Sequence, residues 1–163
     1  MTNLLMVVSV MGLLIGHTVP GAAASDLGGQ WTLASSTVSR DGGATEEPSR
    51  PLISDYSVFT CGLECRITVE GSTLTVETAK IEDGSPAVVP SVTIHADGQL
   101  HPIVSAIAKG STMDALAKWD ADKLSITHMV LGRQILETIA VEKNQLVVRT
   151  TATAMRISRY TRK

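Results

Sequence analysis

Aromatic side chains are scarce in this sequence: one Phe, two Tyr and two Trp make up 3% of it. A core short of rings must be built from aliphatic side chains, and the same shortage counts against a cavity walled by aromatic groups. Charge of one sign is lacking too. The 14 basic and 16 acidic residues leave a net charge of −2, which offers no electrostatic footprint for a nucleic-acid partner. The basic cluster Arg156, Arg159, Arg162 and Lys163 fits a solvated terminal strand and tail. No segment carries an amphipathic-helix period, and no repeat of solenoid length appears.

Long apolar runs are also missing, with one exception. Leu4–Ile15 is broken only by Ser9 and Gly12, and it is followed by Gly16-His17-Thr18-Val19-Pro20-Gly21 and the small residues Ala22-Ala23-Ala24. The run is too short to span a bilayer and is followed by a cleavage-like context, so Met1–Ala24 is expected to be a signal peptide. The start supplies no Lys or Arg, which leaves an uncleaved anchor as the rival. Residues 25–163 are then one domain, secreted or periplasmic, with no membrane span after removal of the signal.

Export would place the only two cysteines, Cys61 and Cys65, in an oxidising compartment. In a fully extended strand their Cα atoms would lie about 13 Å apart, too far to bridge. Gly62 lets the chain bend, so a small-loop disulfide is the expected state. A redox or metal-binding pair would need a nearby His, and the spacing supplies none.

What is present is alternation. Leu124, Ile126, His128 and Val130 form one face of a strand, and Met113, Ala115, Ala117 and Trp119 form one face of the strand before it. A tight turn at Ala121-Asp122 sets Trp119 opposite Leu124, Ala117 opposite Ile126 and Ala115 opposite His128, so the apolar faces coincide. With Leu131–Gln134 taken as a four-residue loop, Val130 faces Ile135, His128 faces Glu137, Ile126 faces Ile139 and Leu124 faces Val141. A two-residue turn at Lys143-Asn144 then pairs Val141 with Leu146, Ile139 with Val148 and Glu137 with Thr150.

Upstream, Gly28–Ala34 is a strand, and Ser36–Pro51, rich in Gly, Ser, Glu and Pro, is expected to be a long loop. Leu52–Thr60 is open between an irregular strand and a short helix. Cys65–Glu70 and Thr73–Lys80 form a hairpin about Gly71-Ser72. Glu82–Pro90 and Val104–Ser111 are expected loops, and Val92–His95 and Leu100–Ile103 flank Asp97-Gly98 as a hairpin. In the last strand, Met155 and Ile157 continue the core face and Arg159 follows them. A break from the preceding strand at Ala152-Thr153 or one bent strand are both compatible with the pattern. The fold expected is all-β: an antiparallel up-and-down barrel of eight or nine strands, since closure hides the edges.

Gly29-Gln30-Trp31 is similar to the Gly-x-Trp that opens lipocalin and related calycin barrels. Trp119-Asp120-Ala121-Asp122-Lys123-Leu124, Glu137-Thr138 and the closing Arg159-Tyr160-Thr161-Arg162 resemble bacterial secreted lipocalin-like proteins, which carry Trp-Asp-Gly-Asp-x-Leu at the middle turn. Ala121 stands where that Gly would be. The resemblance implies that Trp31 closes one end of the barrel with a basic residue of the final strand over it, and Arg159 is the matching position. It brings no catalytic residues.

Within the deduced register Ala115, His128, Glu137 and Thr150 make a polar row between apolar layers. A buried carboxylate must be paired, hydrated, hydrogen-bonded or protonated, and His128 is the expected partner. A satisfied cross-strand pair, a ligand-orienting group and a general-base dyad are the three readings. The last lacks a nucleophile, an oxyanion donor and a cofactor motif, so no enzyme and no cofactor are expected. His95 and His101 lie near one turn without further ligands, so no metal site is expected either. The function expected is binding of a small, mostly apolar ligand, walled by Ile126, Val130, Ile135, Ile139 and Val148 and oriented by His128, Glu137 and Thr150. The alternative is a closed-core module for a protein partner, such as an inhibitor of a secreted enzyme or an envelope-complex subunit.

Overall fold

The computed structural model describes residues 26–40, 43–47, 57–80, 91–104 and 112–163. Among them the chain forms eleven strands: β1 (Gly29–Arg40), β2 (Gly43–Glu47), β3 (Glu64–Glu70), β4 (Thr73–Lys80), β5 (Val92–His95), β6 (Asp97–Val104), β7 (Thr112–Asp120), β8 (Lys123–Val130), β9 (Arg133–Glu142), β10 (Gln145–Thr151) and β11 (Met155–Arg162). Ten follow each other as hydrogen-bonded neighbours in the order β5-β4-β3-β1-β11-β10-β9-β8-β7-β6, and β2 pairs with β1 off that path. Pairing of β1 with β11 joins the first strand to the last. The two ends of the path, β5 and β6, are separated in the chain by Ala96 alone, so the barrel is nearly closed with its seam there.

Alternation places the core. Leu74, Ile94, Leu124, Ile126, Ile139 and Leu146 are fully buried and face one another across the interior. Burial of an aliphatic side chain of this size contributes about 1.5–3 kcal/mol each, which is how a barrel short of rings holds together. The register expected for β7 and β8 is found, as are those for β3 and β4 and for β9 and β10, including Glu137 opposite Thr150.

The register of β8 against β9 differs from expectation by two residues. The turn is not a four-residue loop but the pair Leu131-Gly132, with φ of 49° and 76°, so Val130 pairs with Arg133, His128 with Ile135, Ile126 with Glu137 and Leu124 with Ile139. A shift of two keeps every side chain on its own face. The apolar surface therefore survives while the polar row is displaced. Leu in the left-handed region costs about 1–2 kcal/mol, offset by the ladder pairs that the longer loop would have given up. Ala121, at φ 56°, carries a similar cost in the β7–β8 turn.

Three other expectations change. Residues 36–40 and 43–47 are strand and not loop: β1 runs on to Arg40 and pairs with β2, after a register shift between Leu33 and Ser35 that re-aims Ser36 and Val38 inward. A serine at a core position concealed that strand from a search for apolar alternation. Residues 48–51 of that expected loop lie outside the described residues, as do 52–56 of the segment left open between strand and helix, the expected loop 82–90 and residues 105–111 of the expected loop Val104–Ser111. The strands flanking Asp97-Gly98 form, but they pair with β4 and β7 rather than with each other. Gly98 takes φ 78° at an irregularity between Asp97 and Leu100, a use of Gly that serves a bulge as well as a hairpin turn.

Finally, β10 and β11 are separate strands linked through residues 152–154. Thr151 pairs with Met155 and Thr150 with Arg156. That link places Ser158 and Tyr160 on the core face, while Met155 is exposed and Ile157 only half-buried. The barrel thus has ten strands in its wall rather than eight or nine, plus β2.

Candidate functional site inside the barrel

One end of the barrel is closed by Trp31. Its ring is buried, its Nε1–H donates to the Leu27 carbonyl at 2.9 Å, and the Arg162 guanidinium carbon lies 4.8 Å from the ring centroid. Arg162 also donates to the Asp26 carbonyl at 2.7 Å. The cation over Trp31 is therefore Arg162 and not the expected Arg159. Residues 160 and 162 share the inward parity set by the 152–154 link. Arg159 is half-buried on the opposite face, paired with Ser35 and Val147. Trp119 is partly buried and packs against the core.

At the middle of the barrel stands Glu137, fully buried. Its carboxylate is met by a segment that is neither strand nor helix. Val58 N–H donates to Oε1 at 2.6 Å, Phe59 N–H to Oε2 at 3.1 Å, and the Ser57 hydroxyl to Oε2 at 3.1 Å. Ser57, Val58, Phe59, Thr60 and Cys61 are all buried, so this strap fills part of the interior. It is pinned at its far end twice. Thr78 donates to the Thr60 carbonyl at 2.6 Å, and Cys61 is disulfide-bonded to Cys65. The bridge is the expected one, with Cα atoms 4.9 Å apart because the chain bends through Gly62 at φ 67°.

His128 is buried one step along the barrel, its Nδ1 3.8 Å from Glu137 Oε1. The two are diagonal neighbours, not directly opposed as expected. Burial pushes the Glu137 carboxyl up to about 7, against the three hydrogen bonds from Val58, Phe59 and Ser57, which favour the ionised form. Burial likewise raises the Tyr160 phenol above its usual range. Thr150, Ile126 and Ile139 line the same interior as Glu137, at its ladder positions or one step away. Among the described residues no group of three metal-ligating side chains is found.

The other end of the barrel opens. Between the Leu131-Gly132 turn and the 152–154 link lies a cavity of about 410 Å3, lined by Val130, Leu131, Arg133, Ile135, Ala152 and Thr153. Ile135 is the ladder partner of His128, so this opening sits one layer outside the buried His128 and Glu137. The sequence brought out His128, Glu137 and Thr150 through parity. It gave no sign of the strap, because donors from the backbone of residues 58 and 59 carry no side-chain signature.

No family model matches the sequence, and no curated protein matches it. Solved structures do match over the whole fold. The wild-type fluorescent protein UnaG superposes with a TM-score of 0.58 at 16% identity, covering 86% of this chain and 99% of that one. A zebrafish ileal bile acid-binding protein complexed with cholic acid gives 0.53 at 17%, covering 85% and 99%. The REP1-NXSQ fatty acid transporter, as a point mutant, gives 0.58 at 14%, covering 85% and 99%. At such identities the likeness is one of fold: an antiparallel, nearly closed calycin-type barrel.

Proposed function

We propose that this protein binds a small, mostly apolar ligand inside its barrel and does so outside the cytoplasm, after loss of Met1–Ala24. The observation that carries the first part is the cavity of about 410 Å3 at the end away from Trp31, which reaches Ile135, the ladder partner of buried His128, and exceeds the roughly 300 Å3 at which ligand pockets begin. A smaller one of about 330 Å3 lies against Trp31 and Arg162 at the other end. A largely aliphatic interior with a small number of polar groups, His128, Glu137 and Thr150 among them, is the usual composition of such a site. Support by analogy comes from two structures sharing the fold, one named as binding a bile acid and one as a fatty acid transporter. These names also favour a binding protein over an enzyme. The second part rests on the apolar run Leu4–Ile15 and the Ala22–Ala24 context.

Native mass spectrometry of the purified protein tests the ligand directly, together with displacement of a fluorescent apolar probe. A co-purifying small molecule or saturable probe binding is expected; neither appearing would sink the reading. N-terminal sequencing of exported protein should begin at Ser25. The closed-core interaction module is favoured by one observation, the buried strap at Ser57–Cys61 that already occupies interior space. Under that reading probes would fail to bind while a protein partner is still captured.

A further inference from the structure

Glu137 is the one acidic or basic side chain, apart from His128, that is buried among the described residues. Groups facing it are the strap donors at Ser57, Val58 and Phe59, His128 at 3.8 Å, and the ladder neighbours Ile126 and Thr150. Beyond Thr150 on the same face stands half-buried Arg156. Nearer the opening, exposed Arg133 lines the cavity. A ligand that travels inward from the open end therefore meets a fully buried acceptor at depth, while the cations nearest its path, Arg133 and Arg156, are exposed and half-buried.

That arrangement selects against one class of amphiphile. A carboxylate driven down to Glu137 would place two anions in a dry interior without a buried Lys or Arg between them, among the described residues. Like charges in low dielectric repel strongly. A hydroxyl, amide or ammonium group, by contrast, brings the donors that a carboxylate accepts. The strap already imitates such a ligand: two adjacent backbone N–H groups and one hydroxyl converge on a single carboxylate. Since Glu137 has no exposed surface, a ligand reaches it only where the strap withdraws. The strap is not in any ladder, and among the described residues its anchors besides Glu137 are at Thr60 and Cys61.

We infer that the barrel takes an amphiphile bearing a hydrogen-bond donor, neutral or cationic rather than carboxylate, and that its donor end replaces the Ser57–Phe59 strap on Glu137. This rests on the ligand-binding reading above and adds the chemical class. The strap is then an internal placeholder that keeps a buried carboxylate satisfied until the ligand arrives.

The test is a matched panel of dodecylamine, dodecanol and dodecanoic acid, titrated at pH 8 into the full protein and into Glu137→Gln. Alongside it, amide hydrogen exchange is followed at Val58 and Phe59. The amine and the alcohol are expected to bind at least about tenfold more tightly than the acid, the ratio that one hydrogen bond to a charged group supports. Exchange at both amides should rise on binding, and Glu137→Gln should remove the preference for the amine. Dodecanoate binding as tightly as the amine overturns the class while leaving the barrel a ligand carrier. Binding with Val58 and Phe59 still protected overturns the exchange of strap for ligand. No binding by any member takes down the carrier reading itself. Where Glu137→Gln fails to fold, the wild-type ranking and the exchange data decide alone.

Discussion

At the end of the barrel where Trp31 sits, strands are joined by two-residue turns at Gly71-Ser72, Ala121-Asp122 and Lys143-Asn144, and only Ala96 separates β5 from β6. At the other end the links between β2 and β3, between β4 and β5 and between β6 and β7 are all longer. The first end is finished by a buried ring with a guanidinium over it; the second carries the cavity beside Leu131 and Ile135. Short turns fix register. At the second end the two-residue turn Leu131-Gly132 and the 152–154 link border the cavity, and the longer links there are the kind of segment in which binding elements are placed on a rigid scaffold. Packing around buried Trp31 belongs to the first end, and the ligand proposed above would enter at the second.

Three changes break or sharpen that contrast. The largest effect is expected at the sealed end. Trp31→Ala should cost about 3–5 kcal/mol in a denaturant melt through loss of packing and the cavity left behind, while Arg162→Ala, which removes only the cation over the ring, should cost about 0.5–2 kcal/mol. Equal losses from the two would show that the ring is not the element that closes this end.

Between the ends, Glu137 should make stability depend on pH. Its folded value of about 7 stands above the ordinary 4.5 of a glutamate, so the folded state binds the proton more tightly than the unfolded chain. Stability is then full below pH 4.5, declines as pH rises, and has lost its contribution above about 7. The shift corresponds to roughly 3 kcal/mol as an upper bound. Glu137→Gln should flatten this slope relative to wild type in melts taken from pH 4.5 to 8. A variant with an unchanged slope would place the proton uptake elsewhere. Exposed Asp97 and Glu142, whose carboxyls are held low by Gln99 and His101 and by Arg149 respectively, act in the opposite sense and are common to both proteins.

The smallest effect compares the turns. Ala121→Gly at the sealed end and Leu131→Gly at the open end each relieve a left-handed residue and should stabilise by up to about 1 kcal/mol. If the exposed Leu131 side chain serves entry of ligand, Leu131→Gly alone should also weaken probe binding. Identical binding in the two variants would leave Leu131 with no role in recognition.

Parity carried most of the wall into view from residues alone. Trp119 against Leu124, Ile67 against Val76 and Val141 against Leu146 followed from apolar alternation and turn residues. Where alternation was silent, expectation failed. Leu131-Gly132 does not resemble a tight turn at its first position, so the β8–β9 register moved by two and separated His128 from its anticipated partner. Ser36 and Ser158 are polar residues on the inward face, and they hid the continuation of β1 and the phase of β11. The phase error alone exchanged Arg159 for Arg162 over Trp31.

The order of amino acids determined, by itself, the inward faces of β3, β4 and β7 to β10 and which of these strands are hairpin partners, because side chains alternate along an extended backbone whatever surrounds it. Only the folded molecule decided what meets Glu137. Its hydrogen-bonding partners are backbone N–H groups of residues about eighty positions earlier, and every residue but proline carries such a group. Nothing in side-chain identity could single out Val58 and Phe59. The seam between β5 and β6 was settled in the same way, by β5 pairing with β4 and β6 with β7 at the two ends of the strand path.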